Sequence, residues 1–205
     1  MKTWNQFYDY LLPDVPDCPL VMANLALRIA AQQFCEKTLA WNEQLDANLI
    51  IADTLGYDFN ILSSQEVVQL RSATIGDSDL PIISERDLPS DWRTNGTGRR
   101  GCFTLDRTTF YVVPQATAGD SVQVTVALKP SNTATGIGND IFSNYVDEIA
   151  LGAKARLQKT PRKPYTDHTL GANNQVEFDR KCSEIAWQVA KSFGQTARRT
   201  KAHFV

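Results

Sequence analysis

Histidine is scarce in this 205-residue chain: His168 and His203 are the only two, and neither has a second ligand at metal spacing. The four cysteines, Cys18, Cys35, Cys102 and Cys182, lie far apart with no Cys-x-x-Cys pair, so zinc binding and thioredoxin-like redox chemistry find no support. Cys35 and Cys182 fall on predicted apolar helix faces, which reads as small buried thiols. Neither histidine stands near a Gly-x-Ser-x-Gly elbow, and the acidic residues are scattered. The expectation is therefore no enzyme, no cofactor, no metal and no catalytic residue. The longest apolar stretch, residues 19–31, is broken by Asn24 and Arg28. A membrane span needs about 20 apolar residues, and none is present. The opening Met-Lys-Thr-Trp-Asn-Gln lacks an apolar run with a cleavage site, which predicts no signal peptide and synthesis inside the cell. Internal repeats and low-complexity segments are also missing. The formal net charge is only −2, so no overall basicity points to nucleic acid.

What is present suits a folded domain. With 42% hydrophobic residues, the chain can bury a sizeable core without staples, as one domain or one domain carrying an insertion. Its charge is unevenly placed. Residues 1–92 hold 14 acidic and 5 basic residues, a balance of −9, and residues 93–205 hold 9 and 16, a balance of +7. Such asymmetry suits a face or end that meets a partner of opposite sign, including another copy head to tail.

Residues 1–19 contain Pro13, Pro16 and Pro19, which predict an extended arm. Trp4, Phe7, Tyr8, Leu11 and Leu12 make it sticky, so it packs on its own domain or clasps a neighbour. Leu20, Ala23, Leu27, Ala30, Phe34, Thr38 and Trp41 recur in steps of three or four and predict a helix from 20 to about 41. Residues 45–135 read as β-rich, with strands at 49–52, 67–72, 101–105, 109–113 and 122–128. A hairpin is expected at Asp106-Arg107. Ser63-Ser64-Gln65-Glu66 also matches a helix capping box, so 64–72 has a competing reading as a short helix. Residues 73–100 read as a long polar loop. Asn139 or Asp140 starts a second helix, striped by Ile141, Tyr145, Ile149, Ala153 and Leu157. Gly152 sits inside it on a small-residue face that permits close approach of another helix. A third helix is expected from about 174 to 193, with Phe178, Cys182, Ile185, Val189 and Phe193 on one face and Gly194 as its stop. The resulting expectation is an α+β chain: a helical bundle of about three long helices (20–44 and 136–193), an inserted antiparallel β-rich subdomain (45–135), and extended N- and C-terminal arms (1–19 and 194–205).

Gly96-Thr97-Gly98-Arg99-Arg100-Gly101 spells Gly-x-Gly-x-x-Gly, but a phosphate cradle must open a helix and here a strand follows, so a loop is expected. Asp77 and Asp79 read as solvated. Arg198, Arg199 and Lys201 lie in a tail without acidic residues. They suit either phosphates or an acidic protein groove. Tyr165 and Trp187 are assigned to packing first and to subunit contacts second.

Several segments together resemble the head-to-tail adaptors of short-tailed bacteriophages, the tail tubular protein A type. They are Val15-Pro16-Asp17-Cys18-Pro19 leading into a helix that ends Phe34-Cys35-Glu36-Lys37-Thr38-Leu39-Ala40-Trp41, then residues 120–131, residues 145–157, and Lys163-Pro164-Tyr165-Thr166-Asp167. The family loop often carries tryptophan where this chain has Tyr165. The resemblance spans about 15–193 and lies in the order and spacing of segments. It implies a virion protein made in the host cytoplasm and assembled as a ring, usually of twelve copies, in the neck between head and tail. The ring would sit beneath the portal protein, receive tail nozzle or fibre proteins below, and extend the channel through which DNA passes without sequence-specific binding. The C-terminal segment, with Gln195, Thr196, Arg198, Arg199, Lys201, His203, Phe204 and Val205, would bind the portal and order only there. Trp4, Phe7, Tyr8 and Tyr165 would serve subunit contacts. The alternative is a DNA-binding or packaging accessory protein holding phosphates through Arg99, Arg100, Arg198, Arg199 and Lys201.

Overall fold

Trp4, Phe7, Leu11 and Val15 are spaced three, four and four residues apart, and a run of helical turns puts all of them on one buried side. A computed structural model of the chain describes residues 1–51, 54–76, 78–88, 92, 101–113 and 119–191. In it, strand β1 (Lys2–Thr3) leads into a 3-10 turn (Trp4–Phe7), helix α1 (Tyr8–Leu11) and a second 3-10 turn (Leu12–Asp14). The expected extended arm is thereby corrected. Pro13 sits within the first residues of its turn, where a missing N–H costs nothing, and Pro16 and Pro19 follow the last turn. The Trp4 indole Nε1 donates to the Ala134 carbonyl at 2.9 Å, and Phe7 meets Phe142 edge-on at 4.8 Å. β1 pairs with β10 (Gly136–Ile137) so closely that a Cβ on Gly136 would stand 2.0 Å from the Lys2 carbonyl oxygen.

Helix α2 (Leu20–Thr38) buries Ala23, Leu27, Ala30, Phe34 and Thr38, as the spacing predicts, but leaves Leu20 exposed. It ends at Leu39, whose φ of 53° is left-handed. Helix α3 (Asn139–Gln158) carries a kink at Tyr145, whose ring packs on Phe34 at 5.0 Å. Helix α4 (His168–Ala190) begins six residues before the expected start: the Asp167 side chain caps it by accepting from the Leu170 N–H at 2.9 Å. Gly171 hides this first turn in the sequence, since glycine disfavours helix. Here it lets α4 approach Gln158 and Lys159, where a Cβ would be 3.1 Å from each side chain. The predicted stop, Gly194, lies outside the described residues.

The largest sheet is built around β9 (Ser121–Pro130), which pairs with β2 (Asn42–Gln44) and β3 (Asn48–Leu49) on one side and β5 (Gln65–Ile75) on the other. Val122, Val124, Val126 and Leu128 all point inward, as their alternation predicts. Opposite them in register stand Ile75, Ala73, Leu70 and Val67. Two irregularities in β5, between Val67 and Gln69 and between Leu70 and Ser72, insert one extra residue each. They turn a period of two into steps of three, which is why this strand mimics a helix in sequence. The capping-box reading is therefore set aside. The Gln65 side chain instead accepts from the Leu62 N–H at 3.1 Å and donates to Glu43 at 3.1 Å.

The predicted 73–100 loop is corrected at its start. Residues 73–75 continue β5, which turns at Gly76 into β6 (Ser78–Leu80), and a 3-10 turn (Glu85–Asp87) follows. A third sheet orders β4 (Gly56–Asp58), β8 (Thr109–Val113) and β7 (Gly101–Thr104). It is buried on both faces: Cys102, Phe110 and Val112 join the main core, while Phe103 and Val113 join Trp92 in a small cluster.

The expected bundle of about three long helices is overturned, while the expected C-terminal arm, 194–205, lies outside the described residues. The described residues form four α-helices and three antiparallel sheets, an α+β arrangement. One hydrophobic core runs from the N-terminal turns through α2, α3 and α4 into the large sheet. The reason lies in α2, which packs on α3 and α4 and also on β9. Its Gln32 Nε2 donates to the Pro130 carbonyl at 3.0 Å, and its Glu36 accepts from Lys129 at 2.6 Å.

Candidate functional site

Of the residues expected at subunit contacts, Trp4, Phe7 and Tyr165 are buried in the chain's own core. For Tyr165 this is the packing role read first from the sequence. Tyr8 is half-buried, and its hydroxyl donates to Asn24 Oδ1 at 2.8 Å. The portal-binding candidates Gln195, Thr196, Arg198, Arg199, Lys201, His203, Phe204 and Val205 lie outside the described residues, as do Arg99, Arg100 and Asp77. Asp79 is exposed on β6, and His168 is the first residue of α4.

All four cysteines are buried. Burial pushes the Cys102 thiol up to about 12 and the Cys182 thiol up to about 11, and raises Cys18 and Cys35 as well. These groups stay protonated at neutral pH, so they are poor nucleophiles.

Part of the uneven charge is neutralised within the molecule. Lys129 meets Glu36 at 2.6 Å and Glu66 at 3.4 Å, and Lys154 meets Asp14 at 2.5 Å. Each pair joins the acidic first half of the chain to its basic second half.

At the β7–β8 hairpin, Asp106 Oδ1 accepts from the N–H groups of Thr108 and Thr109 and from the Thr108 hydroxyl, each at 2.8 Å. This turn answers the expected hairpin. The Thr108 and Thr109 N–H groups hold the Asp106 carboxyl below the usual carboxylate range, Arg180 does the same for Glu177, and Lys37 for Asp179. A carboxyl depressed by folding stabilises above its unfolded pKa and loses that effect as pH falls through the folded value. The urea midpoint is therefore expected to drop on acidification below about pH 4, and less steeply in Asp106→Asn. An equal slope in the variant would refute the contribution of this turn.

Two exposed faces stand out; of the residues expected at subunit contacts, Trp4 and Tyr8 border the first and Trp187 lies on the second. The first is a groove of about 600 Å³ between the N-terminal turns, α2 and residues 133–135. Tyr8, Val21, Asn24, Leu25, Arg28 and Ala134 line it. Val21 is 78% exposed. Arg28 has no hydrogen-bond or ion-pair partner among the described residues. The second face is the outer side of α4. Val176 is 71% and Trp187 57% exposed there, which corrects the packing role expected for Trp187. The Lys191 ammonium lies over the indole at 3.2 Å. On the same helix Arg180 pairs with both Glu177 and Glu184, leaving one carboxylate's charge in excess. Both faces carried a signal: Val21 and Leu25 interrupt the polar side of α2, and Val176 and Trp187 fall off the α4 stripe.

No protein-family model and no curated protein sequence matches the chain.

Proposed function

We propose that this protein is a structural subunit of a viral neck: a head-to-tail adaptor that assembles as a ring beneath the portal and extends the DNA channel towards the tail nozzle or fibres. The observation that carries the reading is the pair of unlike exposed faces, a groove on α2 and a protruding indole on α4. A closed ring uses heterologous contacts, in which different surfaces meet between neighbours, and a self-complementary patch is not required. The resemblance adds support. Three of its five quoted segments fall on α2, β9 and α3, and these elements supply much of the common core. On this reading the tail beyond 194 contributes the portal contact, through Arg198, Arg199 and Lys201 among others.

The test is electron microscopy of the full chain mixed with the portal protein of the same virus. A ring docked on the portal is expected, and deletion of residues 195–205 should abolish capture without changing helical content by circular dichroism. A chain that stays a lone particle under these conditions refutes the proposal. So does tight binding to free DNA that falls steeply with salt, since that behaviour belongs to a phosphate-binding accessory protein.

A further inference from the structure

We propose that the C-terminal end of α3 and the loop joining it to α4 form a phosphate-binding face, which takes the backbone of duplex DNA without regard to base sequence. The chemistry of the face stands apart from the neck reading; only the choice of DNA as the source of the phosphates rests on it.

Charge comes first. Residues 149–166 hold five basic residues, Lys154, Arg156, Lys159, Arg162 and Lys163, and no acidic one. Lys154 is half-buried and neutralised by Asp14. Lys159 is exposed and meets the neutral Gln175 Oε1 at 3.5 Å. Arg156, Arg162 and Lys163 are exposed, and their side chains have no hydrogen-bond or ion-pair partner among the described residues. Asp167, at the far end of the loop, has its side chain on the Leu170 N–H as the cap of α4. Cations in the last turn of a helix offset its dipole, which accounts for Arg156 and Lys159 but not for Arg162 and Lys163, since the effect fades within one turn. Second, the loop is built rather than slack. The Tyr165 ring is buried in the core beneath it. The Thr166 hydroxyl accepts from the Lys163 N–H at 2.9 Å and donates to the Thr160 carbonyl at 2.6 Å, and the Asp167 N–H donates to the Gln158 carbonyl at 3.0 Å. Arg162 is held at a φ of 59°, a left-handed conformation that costs energy for most side chains. A backbone fixed in this way has little freedom left to lose when a partner arrives. Third, no exposed large apolar side chain falls within residues 149–166. Protein interfaces centre on apolar or aromatic anchors. A face of cations alone suits the electrostatic, sequence-independent hold on phosphates, where a guanidinium pairs with two oxygens at once.

Fluorescence anisotropy of a labelled mixed-sequence duplex, titrated with the full chain at low salt, tests the face. The native chain is expected to bind weakly and to hold a second duplex of different sequence equally well. Each of Arg156→Gln, Arg162→Gln and Lys163→Gln should weaken binding and lower the slope of log affinity against log salt by about 1. Arg162→Gly separates binding from folding: it relieves the left-handed strain, so DNA affinity should fall while the urea midpoint holds or rises. A polyglutamate chain should compete poorly. The inference is overturned by a native chain that does not bind at low salt, by equal affinity in the triple glutamine variant, or by polyglutamate competing as well as DNA, which would point to an acidic protein. If rings form on the portal while the triple variant binds DNA as the native chain does, the face is refuted and the adaptor reading stands. If no ring forms yet the triple variant loses the duplex, the face stands and the adaptor reading falls.

Discussion

Phe7→Ala is expected to lower the stability of the free chain by about 3–5 kcal/mol, the range for deleting a fully buried phenylalanine. Phe7 is completely buried, packs edge-on against Phe142 of α3, and tilts against Trp4 at 5.9 Å. Removing the ring leaves a void between the N-terminal turns and α3 that neighbouring side chains, themselves close-packed, fill only in part. Urea unfolding followed by circular dichroism measures the loss as a shift in midpoint at unchanged slope. The result also separates two uses of the N-terminal segment. An arm that clasps another copy contributes nothing to the lone chain, so an unshifted midpoint for the dilute variant would reject the packing described here.

Gly152→Ala is the second large effect, and its sign runs against helix propensity. Alanine in a helix interior is favoured over glycine by about 1 kcal/mol. At this position, however, a Cβ would stand 2.8 Å from the Phe178 ring of α4. That ring is fully buried, with the Lys37 ammonium 5.5 Å from its centroid, so it has no free direction in which to swing. Overpacking costs about 1–3 kcal/mol, leaving a net loss of up to about 2 kcal/mol once propensity is offset. Phe178→Leu alone also destabilises, since it shrinks a core side chain. Together the two substitutions should cost less than their sum, because the smaller side chain makes room for the methyl group. Strictly additive losses would show that the two positions do not meet.

Both effects bear on what could be read without coordinates. The stripes of α2, α3 and α4 and the alternation of β9 were legible because each reflects a single apolar face of a regular element. The close approach at Gly152 was legible for the same reason: small residues on a helix face leave room for a neighbour. Strand β5 was harder, since its two extra residues shift the inward positions to Val67, Leu70 and Ala73 and imitate a helical step. The N-terminal turns were misread because three prolines outweighed the spacing of Trp4, Phe7 and Leu11. The first turn of α4 was missed behind Gly171.

The association faces were less legible still. Val21, Leu25, Val176 and Trp187 could be seen to leave their helical stripes, but an off-stripe apolar residue is equally compatible with burial against something distant in sequence. Trp4 and Phe7 fit either packing on their own domain or a clasp on a neighbour in the sequence, and in the fold they lie in the chain's own core.

By itself the chain's order of residues determined where the long helices and the central strand lie, which of their faces turn inward, and that the Cys35 and Cys182 thiols sit on apolar faces. Periodicity is local, and local geometry is enough to impose it. Only the tertiary structure decided that helices and sheet share one core, that the N-terminal turns belong to it, and that Trp187 stays exposed. Those outcomes depend on contacts between residues as far apart as Trp4 and Ala134, and no local pattern carries the information about which distant surface arrives first.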